Sequence, residues 1–166
     1  AFKAEPTGKG DAAIRTEMVA DLAAEALFGE SSELYLKMYE EGIIDASFGG
    51  GFETIDGCAM LMCSGDSENP EAVREAILAQ AEKIAKEGIP EANFLRMKRS
   101  ALGRRIRALD SFDATCFRVC AYHFTDFDYF RFPEVYRSIE ATEICGFLNR
   151  VVKRQRCSLS VIEPIE

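Results

Sequence analysis

The sequence predicts an α+β fold: a mainly antiparallel four-stranded sheet with helix pairs on one face, in the order β-αα-ββ-αα-αα-β. Three observations carry this prediction. Apolar residues recur at helical spacing along most of the chain. Two adjoining segments, joined by the turn signal Asp56-Gly57, switch to strand-like patterns. Strand-like segments also stand at both ends, around Phe2 and Cys157.

Phe2 to Glu5 reads as a short strand, ended by Pro6. Asp11 is placed to cap a helix that runs to about Phe28, with Ile14, Met18, Val19, Leu22 and Ala26 on one side and Gly29 as its stop. Ser31 or Ser32 starts a second helix, apolar along Leu34, Tyr35, Met38 and Tyr39 and closed by Gly42. Ile44, Ala46 and Phe48 then alternate with polar residues, as in a half-buried strand. The run Gly49-Gly50-Gly51 predicts a bulge or a close backbone approach, with the strand resuming from Phe52 to Ile55.

Cys58 to Cys63 is apolar on both faces, as expected of a strand covered on both sides. Helices cover one side, so the side carrying Cys58, Met60 and Met62 calls for a partner. Pro70 opens a helix to Glu87 with Val73, Ile77, Ala81 and Ile84 as its stripe. Pro90 opens the longest helical stretch, to about His123, with Gly103 or Ser111 as sites for a bend. An aromatic connector follows over 125–132, then a short helix from Pro133 and another from Thr142 to Lys153. Cys157, Leu159 and Val161 alternate in a final strand that Pro164 ends.

The 166 residues fit one domain, 48% hydrophobic and 29% charged, so the chain is no disordered segment. Twenty basic against 28 acidic residues leave a formal charge of −8, which argues against nucleic acid and anionic membranes as partners. No apolar run reaches the roughly 18–20 residues that span a bilayer. No signal-peptide pattern opens the chain, and its start at Ala1 predicts a fragment of a longer protein. Six cysteines at 58, 63, 116, 120, 145 and 157 read as reduced, buried thiols of a cytoplasmic protein.

Little in the sequence points to chemistry. Cys116, Cys120 and the single histidine, His123, share a helical face, but the paired-cysteine spacing of a structural zinc site is absent. With neighbours Phe112, Phe117, Val119 and Phe124 they read as a packed core helix. A Cys120–His123 dyad would need an open, electropositive pocket that nothing nearby suggests. The glycine run matches neither nucleotide-binding loop, so no cofactor is expected in this chain. A sheet edge left open at Gly49–Gly51 suits an extended peptide. The cations Arg96, Lys98, Arg99, Arg104, Arg105 and Arg107 read either as a solvated helix face with paired carboxylates or as a surface for an acidic partner, through Arg99, Arg104 and Arg105.

The order of motifs resembles a known family. The segments Leu27-Phe28-Gly29-Glu30-Ser31-Ser32-Glu33-Leu34-Tyr35 and Tyr39-Glu40-Glu41-Gly42-Ile43-Ile44-Asp45 carry the resemblance, followed by the Cys58–Cys63 strand and Asn69-Pro70-Glu71. Gly88-Ile89-Pro90-Glu91-Ala92-Asn93-Phe94 leads into Arg96-Met97-Lys98, and Cys157-Ser158-Leu159-Ser160 stands at the end. Together they resemble the C-terminal, non-catalytic half-domain of insulinase/pitrilysin (mitochondrial processing peptidase-like) zinc metallopeptidases, most of all the bacterial two-domain type.

The resemblance implies a half-domain that closes a peptide chamber and contacts a catalytic N-terminal half or a paralogous subunit. The family's catalytic signature is an inverted H-x-x-E-H, with two histidines four apart holding zinc and a glutamate activating water. One histidine in this chain cannot supply it, so zinc, where bound, belongs to the other half. Some members grip peptide through an Arg–Tyr pair in this half; Gly49, Gly50 and Gly51 stand there instead. Strand alternation then gives Phe48, Gly49, Gly50, Gly51 and Phe52 as substrate contacts. The alternative is a stand-alone peptide-binding module using the same edge. A cytoplasmic, bacterial protein is expected.

Overall fold

A computed structural model describes residues 1–55 and 57–163. Strand β1 spans Phe2–Ala4, β2 Gly49–Ile55 and β3 Cys58–Ser64, forming an antiparallel sheet in the order β1-β3-β2. The described residues form seven helices beside it: α1 Gly10–Phe28, α2 Glu33–Glu40, α3 Pro70–Glu87, α4 Glu91–Arg107, α5 Phe112–His123, α6 Phe132–Ser138 and α7 Ala141–Val151. The α+β class predicted from sequence is the class observed.

Pairing fixes which side chains share a face. Phe2 lies opposite Leu61 and Ala4 opposite Ala59, while Phe52 pairs with Leu61 from the other side. All five are buried, on the face that α1 and α7 cover. Met18, Leu22 and Leu27 of α1 and Ile144, Phe147 and Leu148 of α7 complete this core. The ring of Phe52 meets that of Phe147 edge-on at 5.8 Å between centroids, a favoured aromatic geometry. Outside the sheet, α3 rests on α7 through the predicted stripe Val73, Ile77, Ala81 and Ile84, all buried. The opposite sheet face carries Cys58, Met60 and Met62, with Met62 39% exposed. It is therefore open, as the two-faced apolar pattern required.

The helix ends follow local chemistry. The Ser32 hydroxyl accepts from the Tyr35 amide at the start of α2, and Asn69 does the same for Ala72 at the start of α3. A reciprocal capping box of Glu140 and Glu143 opens α7. Arg15 of α1 grips the same Glu143 with two bonds of 2.8 and 2.7 Å and donates to the Ser138 carbonyl at 2.9 Å, fixing α1 against α6 and α7.

Several expectations are corrected. Asp11 does not cap α1: the cap position is Lys9, without a side-chain bond, and Asp11 lies in the first turn. The alternating 44–48 segment is no strand; Ile44 makes one bridge, to Ser67, and β2 begins at the glycines themselves. The long helix breaks in a 3-10 turn over Ala108–Asp110, and Ser111 caps α5. The sheet has three strands among the described residues. Cys157 contributes a single bridge to Phe2, so the C-terminal segment touches the β1 edge without forming a fourth strand. Asp56 and Pro164 lie outside the described residues.

The glycine run is not a bulge, because Gly49, Gly50 and Gly51 pair in unbroken register with Ser64, Cys63 and Met62. A β-carbon on Gly50 would collide with the Met62 carbonyl and with the Phe28 ring, whereas Gly49 and Gly51 face open space. Gly50→Ala is accordingly expected to cost about 1–3 kcal/mol by forcing β2 off α1. Gly49→Ala and Gly51→Ala should be neutral or stabilise by up to ~1 kcal/mol, since glycine weakens a strand interior. Urea unfolding of the three variants checks this, and equal losses at all three positions would refute the packing account.

Candidate functional site: a groove beside the edge strand

Strand β2 is paired only on its β3 side within the described sheet, so its other edge carries unpaired backbone groups. Along it runs a groove of about 1120 Å³. One wall is β2 from Gly49 to Thr54; the floor and far wall come from α1, the end of α4, and α5.

All five predicted substrate contacts line this groove, but not alike. Phe48 and Phe52 are core residues; Phe48 meets Phe28 edge-on at 6.2 Å and Tyr35 at 6.3 Å. Gly49, Gly50 and Gly51 therefore offer backbone and shape, with no side chain in the way.

The groove's polar cluster was not foreseen in the sequence. Arg105, near the end of α4, is largely buried and donates to the Tyr122 hydroxyl at 2.9 Å, to Asp21 at 2.8 Å and to Glu17 at 3.4 Å. The Tyr122 hydroxyl donates in turn to Glu17, and the guanidinium lies 5.5 Å from the Tyr136 ring. One turn along α1, Glu25 receives Arg104 at 2.9 Å. Asp21 and Glu25 stand four apart on one side of α1, and each is met by an arginine from α4. The paired-carboxylate reading of the basic cluster thus holds for Arg104 and Arg105, while Arg99 is exposed and forms no ion pair among the described residues. Lys98 is also occupied, donating to the carbonyls of Arg137 and Ile139 at the end of α6.

Burial pushes the Asp21 carboxyl above its ordinary range, and the Arg105 charge and hydrogen bond offset part of that shift. Burial also raises the two phenols: Tyr136 is pushed up to about 12, and Tyr122 is pushed up further. Fully satisfied, such a cluster holds α1, α4 and α5 in one geometry. It presents no nucleophile and no open coordination position. No group of three histidine, cysteine or acidic side chains converges on a metal-sized site among the described residues, so the donors present do not fit zinc.

The expectations for α5 are overturned. Phe112, Phe117 and Phe124 are 80%, 74% and 75% exposed, and Cys116, Cys120 and His123 are exposed beside them. The helix is not a packed core helix, and a Cys120–His123 dyad has no enclosing pocket. Nor are the thiols buried: all six are free, three exposed and three half-buried, with Cys63 and Cys145 pushed up by burial.

A three-strand antiparallel sheet with a long central helix beneath its open edge defines the class, an α+β domain with a groove beside an unpaired strand. Residues 7–101 match the family described as the peptidase M16 inactive domain, and the chain belongs to that family. It is 26% identical over 163 residues to an uncharacterised zinc protease, YmfH, of Bacillus subtilis, covering 96% of this chain and 37% of that protein. A chain described as an M16-like peptidase from Alicyclobacillus acidocaldarius superposes with a TM-score of 0.85 at 18% identity, over 93% of this chain and 37% of that one. The inactive peptidase domain of a zinc protease from Bordetella parapertussis superposes at 0.75 with 11% identity, over 99% of this chain and 90% of that one. The chain thus spans little more than a third of the curated relative. The insulinase/pitrilysin resemblance of the sequence is borne out, as is the non-catalytic half-domain fold.

The tyrosine shifts give a pH test. Unfolded phenols ionise near pH ~10, whereas folded Tyr136 and Tyr122 keep their protons to higher pH. Because the folded pKa values are raised, their contribution is fully present below pH ~10 and is lost as pH rises toward the folded values. Tyr136→Phe should therefore lose less stability between pH 9 and pH 11 than the parent does. Urea midpoints across that range decide it, and parallel losses would sink the assignment.

Proposed function

We propose that this domain is the closing half of a two-half zinc peptidase. It lines the peptide chamber, contacts the catalytic half or a paralogous subunit, and holds extended peptide along β2. The observation that carries this reading is the groove beside an unpaired strand edge whose wall at Gly49–Gly51 bears no side chains. A peptide added there completes the backbone bonding of the sheet, a mode that needs no chemistry from the domain. Zinc and the water-activating carboxylate come from the other half. Arg99 is the member of the predicted trio that forms no ion pair among the described residues, and it is exposed to an acidic partner. A bacterial cytoplasmic setting fits the bacterial relative and the free thiols; no described helix is long and apolar enough to cross a membrane.

The test compares this chain with the full-length product of its gene. The chain alone should cleave no peptide with zinc supplied, and the full-length protein should cleave in a zinc-dependent manner. Gly51→Arg fills the groove from a position with free space around it. In the full-length protein it should raise KM about tenfold with kcat within about twofold, the mark of lost substrate binding. Peptide binding by this chain alone, with no zinc-dependent cleavage by the full-length protein, would instead favour the stand-alone binding module.

A further inference from the structure

Helix α5 has a face without a partner. At 100° per residue Phe112, His123, Cys116, Cys120, Phe124 and Phe117 fall on one continuous side of the helix, all exposed. Val119 and Tyr122, on the adjoining side, pack against the core. Three phenylalanines at 74–80% exposure present on the order of 450 Å² of aromatic surface, taking ~200 Å² for each ring. That matches the largest apolar patch of a typical monomer, about 300–600 Å², which is often a contact site. Around the patch, Asp110, Asp113, Asp126 and Asp128 are all exposed and enter no ion pair among the described residues.

Resting on the half-domain reading above, we infer that the α5 aromatic face is the seat of the remaining part of a protein of its relatives' length. That part would bring an apolar surface with a cationic rim. Three points favour this occupant. The chain accounts for 37% of the curated relative, so most of such a protein lies elsewhere. The acidic rim complements basic side chains and disfavours another copy of the same rim. The patch is also smaller than the ~800 Å² that each partner of a stable free complex buries. A covalently tethered partner needs less area, because tethering supplies a high effective concentration. Phe117 and Ala121 also line the β2 groove, so a partner seated on α5 would close that groove from the side.

The face carries its own reporters. Cys116 and Cys120 are exposed on it, and Cys58 is exposed on the open sheet face. Maleimide labelling, with sites read by mass spectrometry, is run on this chain and on the full-length product of its gene. Cys116 and Cys120 should react at least about tenfold more slowly in the full-length protein, through loss of access. Phe117→Glu with Phe124→Glu should restore their reactivity there and leave the thermal midpoint of this chain alone unchanged, since both rings are exposed. Equal reactivity of Cys116 and Cys120 in both proteins, with Cys58 protected in the longer one, overturns the α5 seat while keeping the half-domain reading. Protection of none of the three, or a gene product no longer than this chain, overturns both. Concentration-dependent protection of Cys116 in this chain alone overturns the inference in favour of a second copy.

Discussion

Helix α1 sets the terms for the rest of the molecule. Eleven of its 19 residues are buried, packed against the sheet, α7, α2 and α4 at once. Small residues make this multiple contact feasible: Ala13, Ala20, Ala23, Ala24 and Ala26 let neighbouring elements approach the helix axis closely. The same constraint reaches β2, where Phe28 at the end of α1 fills the space that a side chain at Gly50 would need. A helix buried on so many sides has little room left for polar residues, and most of its acidic ones gather on one flank. That flank, with Glu17, Asp21 and Glu25, becomes the floor of the groove.

Carboxylates on a nearly buried flank require cations, and α4 supplies them. Arg105 meets Glu17 and Asp21, and Arg104 meets Glu25. Removing one partner from such a cluster leaves a partly desolvated charge behind, so its members stand or fall together. The cations are covalently part of the domain and their geometry is filled by tyrosines and carboxylates. The groove floor is therefore held by internally paired charges.

Much of this was legible from residue spacing. The stripe of α3, the caps at Ser32 and Asn69 and the core face of α1 follow from periodicity and local hydrogen bonding, which depend on neighbours in sequence. The open sheet face was legible too, because a strand apolar on both sides with helices for only one leaves Met62 exposed and Met60 half-buried. Failures came where the outcome depends on distant chain. Cys157, Leu159 and Val161 alternate like a strand, yet only Cys157 reaches β1. Of the two readings of the glycines the bulge failed and the close approach held: Gly50 pairs within the strand, and Phe28 leaves room for nothing larger there. The apolar face of α5 has a core pattern, and periodicity reports that a face is apolar without reporting whether this chain covers it. The Arg105 cluster joins residues 17, 21, 105, 122 and 136, a grouping that no local pattern encodes.

The unpaired edge of β2 poses a problem that the fold answers in part. An exposed edge invites pairing with any extended chain, and proteins generally blunt such edges with charge, proline or a covering element. Here the Gly49–Gly51 stretch has none of these, and only Glu53 further along is charged. What stands beside it is the groove: α1, α4 and α5 wall the space next to the edge. The wall at Gly49–Gly51 presents backbone without side chains. Under the proposed function, selectivity for a bound chain would come from the opposite wall, where Arg104, Arg105 and Phe117 stand. Under the proposed function the domain contributes binding along one wall and leaves the chemistry to a partner, a division compatible with a family described as an inactive peptidase domain.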